Sequence, residues 1–164
     1  MKRILKPLLL AGAAIAALAI ARPAAAQTIN VNANVPERCQ ITASADINFP
    51  STYDGLADLD TSGSVTTRCT RGTTYTISIT EGNDPVANTT RRMEGVGALA
   101  GQFLEYDIYQ DAGYTTRWRE TTPYNPGAST SNAAVVHPVR ARISTGQDPA
   151  VGDYQDVVTV SITL

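Results

Sequence analysis

The chain has one histidine, two cysteines and, beyond position 6, no lysine. These counts already limit its chemistry. A hydrolytic triad needs a base beside its nucleophile, and His137 is the only imidazole. It shares a two-residue phase with Val135, Val139, Ala141 and Ile143, so it reads as a residue packed on an apolar strand face. A glycosidase needs only two acids, and Asp153 with Asp156 is the nearest pair in a motif-like setting. Asp54, Asp58 and Asp60 carry too few ligands for a calcium loop and read as a solvated acidic loop. Arg91-Arg92 is too short a basic run for nucleic acid. Trp118, with Tyr114 and Tyr124 near it, suits either a carbohydrate-binding face or the packing of a long loop. Packing is the reading taken. No catalytic, metal-binding or cofactor-binding residue is assigned.

Cys39 and Cys69 are thirty positions apart. Zinc would need further Cys or His ligands, and the spacing is far from a C-x-x-C redox pair. A structural disulfide is the expectation if the chain is exported to an oxidising compartment. Closing a loop of that size stabilises by roughly 3.5–4 kcal/mol in the chain-entropy view.

The first 26 residues supply the export signal. Lys2, Arg3 and Lys6 form a basic start, Leu8 to Ile20 an apolar run, and Pro23 to Ala26 a small-residue cleavage site. The run is shorter than the roughly 20 residues of a spanning helix, so a signal cut after Ala26 is expected rather than an anchor. No membrane insertion is expected of the mature chain. The whole chain has a formal charge of −2, but positions 27–164 hold nine arginines against fifteen acids, a charge of −6. That balance disfavours nucleic acid and anionic membranes as partners, and the absence of lysine excludes Schiff-base chemistry.

The elements that would position these residues are strands. Tyr75, Ile77 and Ile79 alternate with Thr and Ser; Leu104, Tyr106 and Ile108 with Glu105 and Asp107. Val135 to Ile143 keeps one phase, as do Val158, Val160, Ile162 and Leu164. Turn residues separate the runs, at Asp54-Gly55, at 81–85, 111–113 and 123–127, and at 145–152. Gly95 to Gly101 is expected as a loop or a short helical turn. One all-β domain of sandwich type follows.

The segment Q-T-I-N-V-N-A-N-V, residues 27–35, also alternates, with Ile29, Val31, Ala33 and Val35 on one face and asparagines on the other. It is either the first strand of the sandwich or a strand made for another subunit, and periodicity does not decide. The final strand pattern reaches Leu164, and if it sits at an edge its backbone N–H and C=O groups are expected to lie open to pairing. A donor strand and an open edge on one domain would permit a head-to-tail filament.

Five blocks then carry a resemblance: Cys39-Gln40-Ile41; Ile47-Asn48-Phe49; Val65 to Cys69 with Gly72 and Tyr75 to Ile79; Leu104 to Tyr109 with Asp111; and Gly152-Asp153-Tyr154-Gln155-Asp156 followed by Val157 to Leu164. In order and spacing they resemble the spore coat protein U-like domain family, shared with archaic chaperone–usher pilins. Two positions depart from its usual pattern: Leu164 stands where an aromatic is common, and Ala141 near a common glycine.

The resemblance implies an incomplete immunoglobulin-like β-sandwich at 37–164, preceded by a donor-strand arm at 27–36 and the signal peptide at 1–26. It implies a donor strand of Ile29, Val31, Ala33 and Val35. The acceptor groove would be lined by Ile41, Val158, Val160, Ile162 and Leu164. The family motif Gly152, Asp153, Tyr154 and Asp156 would hold the turn before the last strand, and Asn88-Thr89-Thr90 would be an accidental glycosylation match. A periplasmic chaperone, an outer-membrane usher and neighbouring pilin subunits are the implied partners. The expected role is a non-enzymatic subunit of a surface fibre, exported through the periplasm for adhesion or biofilm formation. The alternatives are a spore-coat or envelope structural protein, and a secreted monomeric sandwich that binds a ligand.

Overall fold

The computed structural model describes residues 25–49, 52–87 and 90–164. The signal-peptide reading therefore lies outside the described residues except at Ala25 and Ala26, as do Asn88 and Thr89 of the sequon. The chain falls into two units that divide after Ala33. In the first, residues 25–33 form no helix or strand and are exposed throughout.

The second unit contains eight described strands: β1 (Cys39–Ala45), β2 (Leu59–Cys69), β3 (Thr76–Ile79), β4 (Arg91–Gly95), β5 (Phe103–Tyr109), β6 (Val135–Ile143), β7 (Tyr154–Gln155) and β8 (Val160–Thr163). A single 3-10 turn, Gly97–Leu99, sits in the glycine-rich loop where a loop or short helical turn was expected. The strands form a six-stranded sheet, β1-β2-β6-β5-β4-β7, and a two-stranded sheet, β3-β8. All the described ladders are antiparallel. This is an all-β, immunoglobulin-like sandwich.

Alternation explains which side chains fill it. Val65, Ile77, Ile79, Tyr106, Ile108, Val139, Ala141 and Ile143 interleave from both sheets to form the core, with Trp118 buried among them. The Trp118 indole donates to the Ile77 carbonyl at 2.7 Å, so its polar end is satisfied inside. Cys39 opposes Cys69 in the β1–β2 register and the two are disulfide-bonded. A bulge between Ile41 and Ala43 shifts the phase of β1.

At three places the described elements differ from the strand pattern of the sequence. Gln27 to Val35 carries a strand pattern but forms no strand, because extended backbone becomes a strand only with a ladder partner. The last strand begins at Val160, not Val158. β4 was not foreseen, because its core-facing residue is Arg91.

Candidate functional site: an open groove between two sheet edges

Among the described residues, β1 ladders only with β2, and β8 only with β3. The two strands approach each other without a ladder between them. Each thus presents a row of backbone N–H and C=O groups along one edge, the arrangement that invites another strand.

A cavity of about 400 Å³ opens between these edges. Its floor is Val65, Ile79, Met93, Tyr106, Ile108 and Val139. Ile47 and Phe49, after β1, form one wall, and Val157, Val158 and Val160 the other. Ser44 also faces in, because it opposes the buried Val65 across the ladder and cross-strand partners share a face.

The expected groove residues divide. Val158 and Val160 line the cavity. Ile41 and Ile162 are half-buried and pack against the core, outside the lining. Leu164 is exposed and also outside it. The sequence reading missed the floor, whose residues sit on five different strands and converge only in the fold. Ile29 (88% exposed), Val31 (90%) and Val35 (74%) are bare apolar side chains.

The G-D-Y-x-D motif shapes one rim of the groove. Gly152 has a φ of +152°, and a Cβ there would collide with the Leu99 side chain. The Asp153 carbonyl accepts from Val96 N–H at 2.8 Å, and the Tyr154 hydroxyl donates to the Ala150 carbonyl at 2.7 Å. Asp156 accepts from the Tyr106 hydroxyl, the Asn83 N–H and the Val157 N–H, all at 2.7–2.8 Å. The carboxylate packs against Gly82, whose φ is +90° and where no Cβ would fit. Burial, with the hydrogen bond to Asp156, pushes the Tyr106 phenol well above its ordinary value. Asp156 is therefore an anchor that ties the segment before β8 to the groove floor and to the 82–84 turn.

Behind the groove lies a buried ionic cluster. The fully buried Arg91 donates to the carbonyls of Ile79 (3.0 Å), Thr80 (2.9 Å) and Trp118 (2.7 Å). It also pairs with Glu81 at 3.5 Å and Asp107 at 3.4 Å. Arg117 and Arg119 add to Asp107 from the opposite side, at 2.8 and 3.4 Å. Burial raises the Asp107 carboxyl above its ordinary range, opposed by these three guanidinium groups. Arg91 thereby grips the end of β3, the strand that carries β8.

The other chemistry-bearing residues are tied to neighbouring side chains. His137 is buried, with Nε2 at 2.9 Å from the Thr67 hydroxyl and 3.3 Å from the Tyr75 hydroxyl. Burial lowers its pKa. Asp58 and Asp60 are not a free acidic loop: Asp60 lies on β2 opposite Arg142 of β6, and both carboxylates bind that guanidinium. Arg142 also stacks on Tyr114. Among the described residues no group of acids, His and Cys is arranged to hold a metal, and no helix is long and apolar enough to cross a membrane.

The class is an immunoglobulin-like β-sandwich with two unladdered edges beside an apolar groove. The model of the Spore Coat Protein U domain matches residues 25–161, and the chain belongs to that family. Protein U of Myxococcus xanthus is 30% identical over 158 residues, covering 86% of this chain and 87% of that protein. The fold is also similar to a chain in the crystal structure of the CsuC–CsuE chaperone–tip adhesion subunit pre-assembly complex, from the archaic chaperone–usher Csu pili of Acinetobacter baumannii. That match has a TM-score of 0.57 and 27% identity. It covers 79% of this chain, which spans only 40% of that one.

Proposed function

We propose that this protein is a structural subunit of a surface pilus, assembled by donor-strand complementation. The observation that carries the reading is the open apolar groove between the unpaired edges of β1 and β8. In this reading residues 1–26 are removed on export, residues 27–36 are the donor arm, and residues 37–164 form the acceptor sandwich. Ile29, Val31, Ala33 and Val35 of one subunit enter the groove of another. Backbone ladders supply affinity and the alternate side chains set register. Burying three such aliphatic residues and an alanine gives on the order of 5–10 kcal/mol before ordering costs. A one-residue slip would send Asn30, Asn32 and Asn34 into the groove, so register is strict.

A periplasmic chaperone holds the groove before assembly and an outer-membrane usher exchanges it for the next arm. The structural likeness to a chain of a chaperone–pilus subunit complex supports this partner class. The fibre serves adhesion or biofilm formation. It does so without catalysis, in keeping with the structural character of the family. The family's spore-coat description favours one second reading, in which the same joint builds an envelope layer. Deleting residues 27–35 tests the donor assignment: the shortened subunit should accept an arm but donate none, ending chains. Normal polymerisation of the deletion would refute it.

A further inference from the structure

The sandwich has two unlike ends, and each carries exposed apolar side chains and one prevailing sign of charge. The β1–β2 and β2–β6 registers place Cys39, Cys69 and Val135 at one end. There the chain enters past Val35 (74% exposed), and Val135 and Val136 (44% and 62%) lie bare at the start of β6. Arg38, Arg68 and Arg71, beside the two cysteines in sequence, are exposed, as is Glu37. The Thr70 N–H donates to the Arg38 carbonyl, and Arg68 donates to the Asn132 carbonyl, which fixes these loops together.

The opposite end begins where Leu59 pairs with Ile143. Three loops meet there: Gly146 N–H donates to the Gly55 carbonyl, and Val96 N–H to that of Asp153. They expose Leu56 (85%), Val96 (45%) and Val151 (98%). Asp54, Asp148 and Asp153 are exposed beside them. The cations near this end are both taken up, Arg142 by Asp58 and Asp60, and Arg92, which lies opposite Glu105, by Asp84.

We infer that these two ends are complementary docking faces for a second copy of this chain. The basic, valine-bearing disulfide end of one copy seats on the acidic, apolar loop end of the next. The inference rests on the donor-strand reading and extends it beyond the groove. The groove leads to the loop end, since residues 45–49 and 154–158 line it there. β8 runs from the loop end toward the disulfide end, because Val160 pairs with Ile79 and Thr163 with Thr76. A donor strand laid antiparallel to β8, the slightly stronger pairing, would leave the groove at the loop end. The donor's own disulfide end, to which its arm is joined through Val35, is then brought against that loop end. Unlike faces that match by charge and apolar area give an open, heterologous contact. Single exposed valines are ordinary on a surface. Two sets at opposite ends, with opposite charge around them, form a matched pair.

The test uses oligomers of the full exported chain. Val136→Cys and Val151→Cys are introduced singly and together, and mild oxidation is followed on non-reducing gels. The double variant should give a ladder of disulfide-linked chains, and each single variant none. Leu56→Asp with Val151→Asp should speed oligomer dissociation about tenfold or more, by removing exposed apolar contact area. Both side chains are bare in the single subunit, so folding loses little. The same variant should bind a peptide of residues 27–35 within about twofold of the parent, since the groove is untouched. High salt should also speed dissociation of the parent by screening the opposed charges. Oligomers that form but give no ladder, or that cross-link through either single cysteine, overturn the end-to-end contact and leave the groove reading standing. No oligomers and no peptide binding defeat both.

Discussion

Replacing Arg91 by methionine should remove a large part of the stability of this domain. The side chain is fully buried and caps three carbonyls, of Ile79, Thr80 and Trp118, at 2.7–3.0 Å. An orphaned buried acceptor costs about 1–3 kcal/mol, so three cost at least about 3. The pairing of Arg91 with Asp107 and Glu81 is lost as well. Breaking a buried pair from one side costs about 3–5 kcal/mol, and methionine recovers only part of that through packing. A net loss of at least about 3 kcal/mol is expected, against a typical total of about 5–15. Arg91→Lys should fall between, because a single ammonium cannot serve three carbonyls arranged around a planar fork. The loss should also depend on pH. Asp107 already holds its proton more tightly folded than unfolded, so its contribution falls as pH rises above 3.8. Without Arg91 its pKa rises further, and the deficit of the variant should be larger at pH 7 than near pH 4. Urea unfolding at several pH values measures all three. A methionine variant within about 1 kcal/mol of the parent, with no pH dependence, would refute the reasoning.

Other consequences follow from the same geometry. His137 is held below its ordinary pKa of 6.5 by burial, so the unfolded chain binds the proton first as pH falls. Its stabilising contribution is present above pH 6.5 and is lost below it, and His137→Gln should flatten that part of the stability–pH curve. Gly82→Ala should cost about 1–3 kcal/mol, because φ is +90° and the new Cβ meets the Asp156 carboxylate. The same change should weaken binding of the residue 27–35 peptide by displacing the anchored rim, which fluorescence titration would read. Unchanged peptide affinity in a folded Gly82→Ala protein would remove Asp156 from the account of the groove.

Much of the sandwich was legible because its strands alternate. β3, β5 and β6 were read from Val, Ile, Leu and Tyr at every second position. The disulfide followed from having one pair of cysteines and one connectivity. Alternation failed where a core-facing position is charged. β4 presents Arg91 inward, and Asp107 of β5, which alternates with the apolar positions, is covered by the loop that supplies Arg117 and Arg119. A charge buried by long-range partners leaves no local signal. The groove was legible in part. The family resemblance pointed to Val158 and Val160, which line the cavity, but Met93, Tyr106 and Val139 belong to the floor only through the packing of β4, β5 and β6. Leu164 shares their phase yet lies beyond the cavity. The arm reads as a strand and is not one, since the pattern encodes a face and not the partner that completes it.

The most direct measurement is the thermal midpoint and size distribution of residues 36–164, with and without a peptide of residues 27–35. The account predicts a one-to-one complex, a raised midpoint, and loss of both when Val31 of the peptide becomes Asp. A shortened domain that ignores the parent peptide, or that binds the Val31→Asp peptide equally well, would contradict it.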